Sequence, residues 1–444
     1  MNWQRTKKLN DKDYASGPII YWMSRDHRVH DNWALIAAQE LAKKHDTSIA
    51  VVFCLRKEFD QNTERMLDFM LTGLEEVDKE LQKYDIPMYF LYGDPAEEIP
   101  KFVKKEKIGG VIADFNPLKW KMSWDDKIAK ALDIPFVRVD AHNIVPCWVA
   151  SPKQQFGAYT LRPKIHHYLE EYLENFSNLH KQKADLKPEK IDWKDVREQI
   201  KSDDSVKPVD WLKPGEKAAH RMLQEFIDER LATYDEERND PTKHAQSEIS
   251  PYLHFGHIAS QRIALEIEKV KGHTASKKAY LEELIVRKEL SDNYCFYNEN
   301  YDNPKGYPDW AKKTHDEHAS DKRDYTYTRQ ELEDGETHDD LWNAAQHEMR
   351  ERGKMHGYLR MYWAKKIFEW SQNAAEAQKH AIYLNDKYFL DGRDPNGYTG
   401  IAWSMGGVHD RAWFERAVFG KIRYMNYNGA KSKFDVKKYI AMNS

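Results

Sequence analysis

Ser48-Ile-Ala-Val-Val-Phe-Cys54 is a short, nearly unbroken apolar run rich in β-branched residues. Such a run reads as a strand buried on both faces. Four more runs follow the same pattern: Ile19-Ile-Tyr-Trp-Met23, Pro87-Met-Tyr-Phe-Leu-Tyr92, Gly110-Val-Ile-Ala-Asp-Phe115 and Pro135-Phe-Val-Arg-Val139. Amphipathic stretches lie between them, among them Asn32 to Lys44 and Thr63 to Tyr84. Apolar strands spaced by helices predict an α/β fold with a parallel sheet covered on both faces. Ligands of such sheets bind at the carboxyl ends of the strands. No G-x-G-x-x-G follows the first run, so a dinucleotide-binding fingerprint is absent. From Ser151 the pattern loosens, and the charged stretch beginning at Lys181 carries Pro188, Pro208 and Pro214. From Glu216 onward helical periodicity dominates. The expected organisation is an α/β domain over 1–150, a connector over 151–215 and an all-helical domain over 216–444.

The chain has 444 residues, enough for two or three domains with their own cores. No run of eighteen apolar residues occurs, so no membrane-spanning helix is expected. The N-terminus lacks the apolar core of a secretion signal. Cys54, Cys147 and Cys295 are scattered without metal-ligand spacing, which predicts no metal site, no disulfide framework and a reducing, cytoplasmic setting. Net charge is −4, but Arg411 to Ser444 holds eight Lys/Arg against two acids, Glu415 and Asp435. On charge alone this is either a solvated tail or a surface for a polyanion.

Asp391-Gly-Arg-Asp-Pro-Asn-Gly-Tyr-Thr-Gly-Ile-Ala-Trp-Ser-Met-Gly-Gly407 combines a charged turn, five glycines and Trp403. Glycine and proline damage helix interiors, so such a segment suits close approach of backbone to something flat or charged. Upstream, Lys354-Met-His-Gly-Tyr-Leu-Arg-Met-Tyr-Trp363 supplies cations and rings. Together they suggest a large aromatic ligand held by an ion pair, with Arg360 and Asp391 as the candidate partners. The alternative is a structural salt bridge. Tyr234 and Arg238 lead into Gln246-Ser-Glu-Ile-Ser-Pro-Tyr-Leu-His-Phe-Gly256. There Ser247 or Ser250 ahead of Pro251 reads either as a helix cap or as a phosphate site. Trp363 and Trp370 share one helix face, about 10 Å apart along the axis. With Leu359 and Ile367 they form an apolar stripe. It is either core packing or a line of indoles able to carry electrons, which Trp342 would extend. Of Glu282 and Glu283, one is expected in solvent and one pointing inward.

These motifs, in this order, resemble the photolyase/cryptochrome flavoproteins over nearly the whole chain. Within them they resemble the class II cyclobutane pyrimidine dimer (CPD) photolyases. Tyr21-Trp-Met-Ser-Arg-Asp-His-Arg-Val-His-Asp-Asn-Trp-Ala-Leu35 is similar to the family's opening, and the Ser247, Lys354 and Leu390 segments to its flavin and class II signatures. The resemblance implies a Rossmann-like antenna domain followed by an all-α domain binding FAD. Tyr234, Ser247, Glu248, Ile249 and Ser250 would hold the FAD phosphates, and Arg360 and Asp391 the ion pair beside its ring. Asn385 would contact flavin N5, because Gly397 stands where other classes place an asparagine. Gly357 is a further departure, again where other classes often have asparagine.

The implied reaction is light-driven electron transfer from FADH⁻ to a dimer flipped out of DNA. Glu283 would bond the dimer, and Met361 and Trp403 would line its pocket. Val286 stands where other classes place a second tryptophan, so another residue must complete that pocket. Trp342, Trp363 and Trp370, with Tyr362 assisting, would photoreduce oxidised flavin. Trp413, Arg423, Lys431 and Lys433 would meet the DNA. An antenna such as 8-hydroxy-5-deazaflavin is common in the class. The expected partner is UV-damaged DNA, bound by a monomer, at the nucleoid if the source is prokaryotic. Two alternatives stand beside this reading. One is a cryptochrome-like blue-light receptor; such receptors often carry a C-terminal extension, and this chain stops soon after Tyr439. The other is a light-independent nucleotide-binding enzyme built on the α/β domain.

Overall fold

The computed structural model describes residues 1–57 and 62–444. Six strands form one sheet: β1 (Thr6–Lys8), β2 (Ile19–Trp22), β3 (Ile49–Leu55), β4 (Met88–Tyr92), β5 (Gly110–Asp114) and β6 (Phe136–Val139). Their spatial order is β1-β6-β5-β2-β3-β4. The strands β2 to β6 run parallel, with Ile19 of β2 opposite both Ile49 and Gly110. The five apolar runs become these five strands because each is apolar on both faces. Ile19, Tyr21, Ile49, Val51, Phe53 and Ile112 pack into one layer. Ile20, Trp22, Ala50, Val52, Val111 and Ala113 pack into the other. Successive side chains of an extended chain point to opposite faces, which sorts one run into two cores.

β1 has no counterpart among the sequence expectations. It joins the edge antiparallel to β6, pairing Thr6 with Val139 and Lys8 with Val137. Its Thr-Lys-Lys sequence carries no apolar signal, and exposed lysines are a common way to close a sheet edge. The helix Trp33–Lys44 begins where the Asn32 side chain accepts the Ala34 and Leu35 N–H groups at 3.0 and 3.2 Å. The helix Glu64–Leu81 is capped in the same way by Thr63.

Chain order reverses between β2 and β5, where open α/β sheets usually bind ligands. Here the protein's own groups take that place. The Asp114 carboxylate accepts the Ser24, Arg25 and Asp26 N–H groups at 2.8, 2.9 and 3.1 Å, and the Tyr21 hydroxyl at 2.7 Å. The loop after β2 is thereby turned toward the helical part. Both terminal nitrogens of Arg25 reach the Asp292 carboxylate, at 2.9 and 3.0 Å, and both side chains are buried.

Within 151–215 the structure has more order than the sequence suggests. A helix spans Ala158–Tyr172, with Pro163 inside it. Leu161, Ile165 and Tyr172 are fully buried at helical spacing. Pro163 and the exposed His166 and His167 obscured that stripe. Beyond Val139 the described residues contain helices and no further strand. These helices enclose two cores. One gathers Phe226, Tyr252 and Ile285, and the other gathers Trp342, Trp363 and Met405.

Candidate functional site

Between these cores lies a cavity of ≈ 830 Å³, its open mouth included. Tyr234, Ser247, Ile249, Ser250, Tyr280 and Glu283 line it, and so do Arg360, Asp391 and Gly397. A larger cleft of ≈ 1250 Å³ lies over His30, Glu80 and Arg262. Two of its cations are taken by its own acids, Arg262 by Asp31 at 2.6 Å and Lys83 by Glu80 at 2.7 Å. The cavity between the cores is the one that collects the predicted residues.

The serine wall owes its shape to one left-handed residue. Glu248 has φ +59°, which costs a non-glycine residue about 1 kcal/mol or more and is found where the surroundings enforce it. The turn sends the Glu248 carboxylate to the Lys354 ammonium at 2.5 Å, and leaves Ser247 and Ser250 on the cavity wall. Glu248 is therefore outside the lining and fixes the turn from behind. The helix Ser250–His254 starts without any side-chain cap. The cap reading of the two serines thus fails, and their hydroxyls face other partners.

Beside the serines Arg360 Nη2 meets Asp391 Oδ1 at 2.5 Å. The guanidinium also lies 3.7 Å from the Phe389 ring centre. Burial by itself would raise the Asp391 carboxyl. The Arg360 cation and the Ser250 hydroxyl outweigh burial and hold it below the usual carboxylate range. The pair thus offers a fixed anion and a fixed cation to a flat ligand that carries both acceptor and donor edges. Gly397 brings backbone to the same cavity. A Cβ there would lie 2.9 Å from Asn385 Nδ2. Asn385 is buried directly behind, its amide donating to Asp386 Oδ1 at 2.8 Å. At Gly357 a Cβ would meet nothing within 4 Å, so packing does not require glycine there.

The tryptophans are ordered differently from the sequence expectation. Trp363 and Trp370 share the helix Gly357–Trp370. Trp342, from Asp340–Arg352, fits between them instead of extending the line. It stacks on Trp363 at 6.4 Å and 4°, and meets Trp370 edge-on at 5.6 Å. Two indoles seven residues apart leave a gap about two turns long, which a neighbouring helix fills. The stacked pair is fixed by two hydrogen bonds: Trp342 Nε1 donates to Trp363 O at 3.1 Å, and Trp363 Nε1 to Gln346 at 2.8 Å. The Tyr362 hydroxyl donates to Asp339, the residue that caps Asp340–Arg352. Beyond Trp370 the rings continue to Tyr327, 5.3 Å away, whose hydroxyl meets His338 Nδ1 at 2.6 Å. Sequence reading missed Tyr327 and His338. They sit in a polar segment, and only folding brings them to Trp370.

Glu282 and Glu283 divide as expected in direction but not in burial. Glu282 turns to Arg162 at 2.6 Å, while Glu283 lines the cavity with nearly half its side chain exposed and pairs with Arg238 at 3.1 Å. Both begin a π-helical turn, Glu282–Arg287, a rare form common at functional sites. Val286 is buried, and no cavity-lining tryptophan stands in its place among the described residues. Trp403 and the half-buried Met361 lie on the adjoining helices Pro395–Gly406 and Gly357–Trp370. Lys365 approaches the Trp403 ring at 4.8 Å and Arg423 approaches it at 5.8 Å. Arg423 also lies 4.8 Å from Trp413. Lys431 and Lys433 are exposed at the end of the short helix Tyr427–Lys431. No three or more His, Cys, Asp or Glu side chains among the described residues are placed to hold a metal ion. No described helix is long and apolar enough to cross a membrane.

A doubly wound α/β unit, followed by helices that enclose an arginine–aspartate cavity, defines the photolyase and cryptochrome class of fold. Solved structures agree. A bacterial class III photolyase from Agrobacterium tumefaciens superposes with TM-score 0.76 at 18% identity, covering 98% of this chain and 87% of that one. An archaeal photolyase from Sulfolobus tokodaii, described with two FAD molecules, gives 0.71 at 16%, covering 96% and 89%. The DNA photolyase family model matches residues 19–184. A deoxyribodipyrimidine photo-lyase of Potorous tridactylus is 50% identical over 436 residues, 97% of this chain and 81% of the relative. Another from Methanothermobacter thermautotrophicus is 38% identical, over 98% of this chain and 97% of the relative. The chain belongs to the DNA photolyase family.

Proposed function

We propose that this chain is a class II deoxyribodipyrimidine photo-lyase, which uses light to split cyclobutane pyrimidine dimers in DNA. The observation that carries this is the near full-length identity to enzymes of that name. The cavity supports it. Residues 1–150 serve as the α/β antenna domain, 151–215 as the connector and 216–444 as the catalytic domain. The protein acts as a monomer, at the nucleoid if the source is prokaryotic.

The cavity suits FAD by its donors. Ser247, Ser250, Tyr234 and the backbone at Ile249 would hold the phosphates, with Glu248 fixing their turn. Arg360 and Asp391 would flank the ring, and Asn385 would contact its N5 across Gly397. When bound and reduced, FAD supplies the electron that opens the cyclobutane ring under blue light and receives it back. The protein's own groups bind and position the dimer. A damaged pair stacks poorly and leaves the duplex at lower cost, a few kcal/mol at most. Glu283, whose carboxylate Arg238 keeps aimed, would accept a hydrogen bond from a ring N–H of the dimer. Met361 and Trp403 would enclose the bases, and Trp413 and Arg423 would fill the gap left in the duplex. Lys431 and Lys433 would meet phosphates. The line Trp363–Trp342–Trp370, with Tyr362 beside it, would carry electrons inward from the surface. An antenna such as 8-hydroxy-5-deazaflavin in the α/β domain belongs to the same reading.

Illuminating a thymine-dimer oligonucleotide with the pre-reduced protein under anaerobic conditions tests the reaction. Loss of dimers is expected, and none would overturn it in favour of a photoreceptor. The absorption spectrum of the purified protein reports the flavin and any antenna together.

A further inference from the structure

Six large hydrophobic side chains stand exposed among the described residues, and three of them, Phe156, Tyr159 and Phe414, belong to just two segments. Phe414 follows Trp413 in the basic loop already assigned to DNA. Phe156 and Tyr159 lie on a separate ledge, Ser151 to Lys164, with relative exposures of 51% and 64%. Their rings meet edge to face at 6.2 Å. The ledge carries Lys153, Arg162 and Lys164 and no acidic residue.

The ledge touches the turn that carries the cavity-lining Glu283, and the residue that leads into that loop. Arg162 holds Glu282 at 2.6 Å, one residue from the cavity-lining Glu283. Gly157 backs onto His409, the residue before Asp410 and Arg411; a Cβ at Gly157 would lie 3.6 Å from the His409 carbonyl oxygen. The ledge is also rigid. Asn293 accepts the Gln155 N–H at 2.7 Å and donates to Lys153 O at 3.2 Å, and the Tyr297 hydroxyl donates to Ser151 O at 2.7 Å. Two exposed rings held by so fixed a frame, beside lysines that meet no acid among the described residues, suit a partner that offers flat faces and phosphates together.

We infer that the Ser151–Lys164 ledge is a second DNA-gripping face, with Phe156 and Tyr159 stacking on bases and Lys153 and Lys164 meeting phosphates. The inference rests on the reading of the chain as a DNA repair enzyme. Stacking one base on an aromatic ring strengthens binding by about tenfold, and each phosphate that a lysine neutralises adds about 0.9 to the salt slope.

The test is dark binding of a thymine-dimer duplex by flavin-loaded protein, followed by fluorescence anisotropy across a salt series. F156A/Y159A, which loses two stacking rings, should bind about a hundredfold more weakly. K153Q/K164Q should bind more weakly with a salt slope shallower by about two. The flavin absorption spectrum confirms that each variant is folded. If the wild type does not bind the duplex, the functional reading fails and this inference with it. If the wild type binds and both variants bind within twofold of it, the ledge alone is overturned. If the wild type sediments as a dimer that F156A/Y159A dissociates, the ledge belongs to a second copy and the inference is likewise overturned.

Discussion

A methyl group at Gly397 would press on the Asn385 amide at 2.9 Å. Gly397→Ala should therefore displace Asn385 or the wall in front of it. The protein should purify with several-fold less flavin, read from the ratio of visible to ultraviolet absorbance; full occupancy would show that the contact relaxes without consequence. Lys365 is a second residue with a measurable signature. It is fully buried, its ammonium donates to Ser404 O at 2.8 Å, and burial pushes it down to about 7. An unfolded lysine keeps its proton to about 10.4. Between these values the unfolded chain binds more protons, so this group makes stability rise with pH from about 7 to about 10. Lys365→Met should resist urea better than the wild type at pH 7, with the gap closing toward pH 10. A gap independent of pH would contradict the assignment. Asp391 was legible as a residue but not as a geometry. Its sequence context suggested a carboxylate near Arg360, while the Ser250 hydroxyl beside it comes from a distant position.

At the scale of elements, the tryptophan line depends on two helices meeting at one register. Trp342 bridges Trp363 and Trp370, and its stacking at 6.4 Å comes from Asp340–Arg352 packing on Gly357–Trp370. Trp342→Phe should slow photoreduction of oxidised flavin at least tenfold, measured as bleaching of the flavin band under light with external reductant. Repair by pre-reduced protein should stay near the wild-type rate, because that step does not use the line. Equal loss of both would remove Trp342 from this role. Sequence periodicity identified the shared face of Trp363 and Trp370, since that follows from helical pitch. It misplaced Trp342, because the register between two helices is set by side-chain interlock and not by either sequence alone.

Across the whole molecule, the α/β and helical parts are joined by buried ions. Arg25, on the loop after β2, meets Asp292 of Lys288–Tyr297, and Asn143 adds a bond to the same carboxylate at 2.8 Å. Removing one partner of such a pair typically costs about 3–5 kcal/mol, whereas replacing both by apolar groups is often neutral. Arg25→Met should lower the urea midpoint accordingly, and the double variant R25M/D292L should recover most of it; no recovery would mean that the arginine acts through other contacts. Burial opposes ionisation of Asp292, but Arg25 outweighs it and depresses its carboxyl. The stability from this pair is present above the ordinary carboxylate range, near 3.9, and is lost as pH falls through the lower folded value.

The sequence alone determined the α/β-then-helical order and the five parallel strands. It also pointed to residues that line the cavity, among them Tyr234, Ser247, Arg360 and Asp391, and to the tryptophans that meet between two helices. These follow from local rules: alternation along a strand, pitch along a helix, and motifs of fixed spacing. Only the tertiary structure decided the order across the sheet, with β2 central and its ligand crevice filled by Asp114. It also decided the middle position of Trp342, the turn of Glu248 away from the cavity and the meeting of the Ser151–Lys164 ledge with His409. Each of those depends on contacts between residues far apart in the chain, whose geometry is settled by packing and ion pairing across elements that no local pattern encodes.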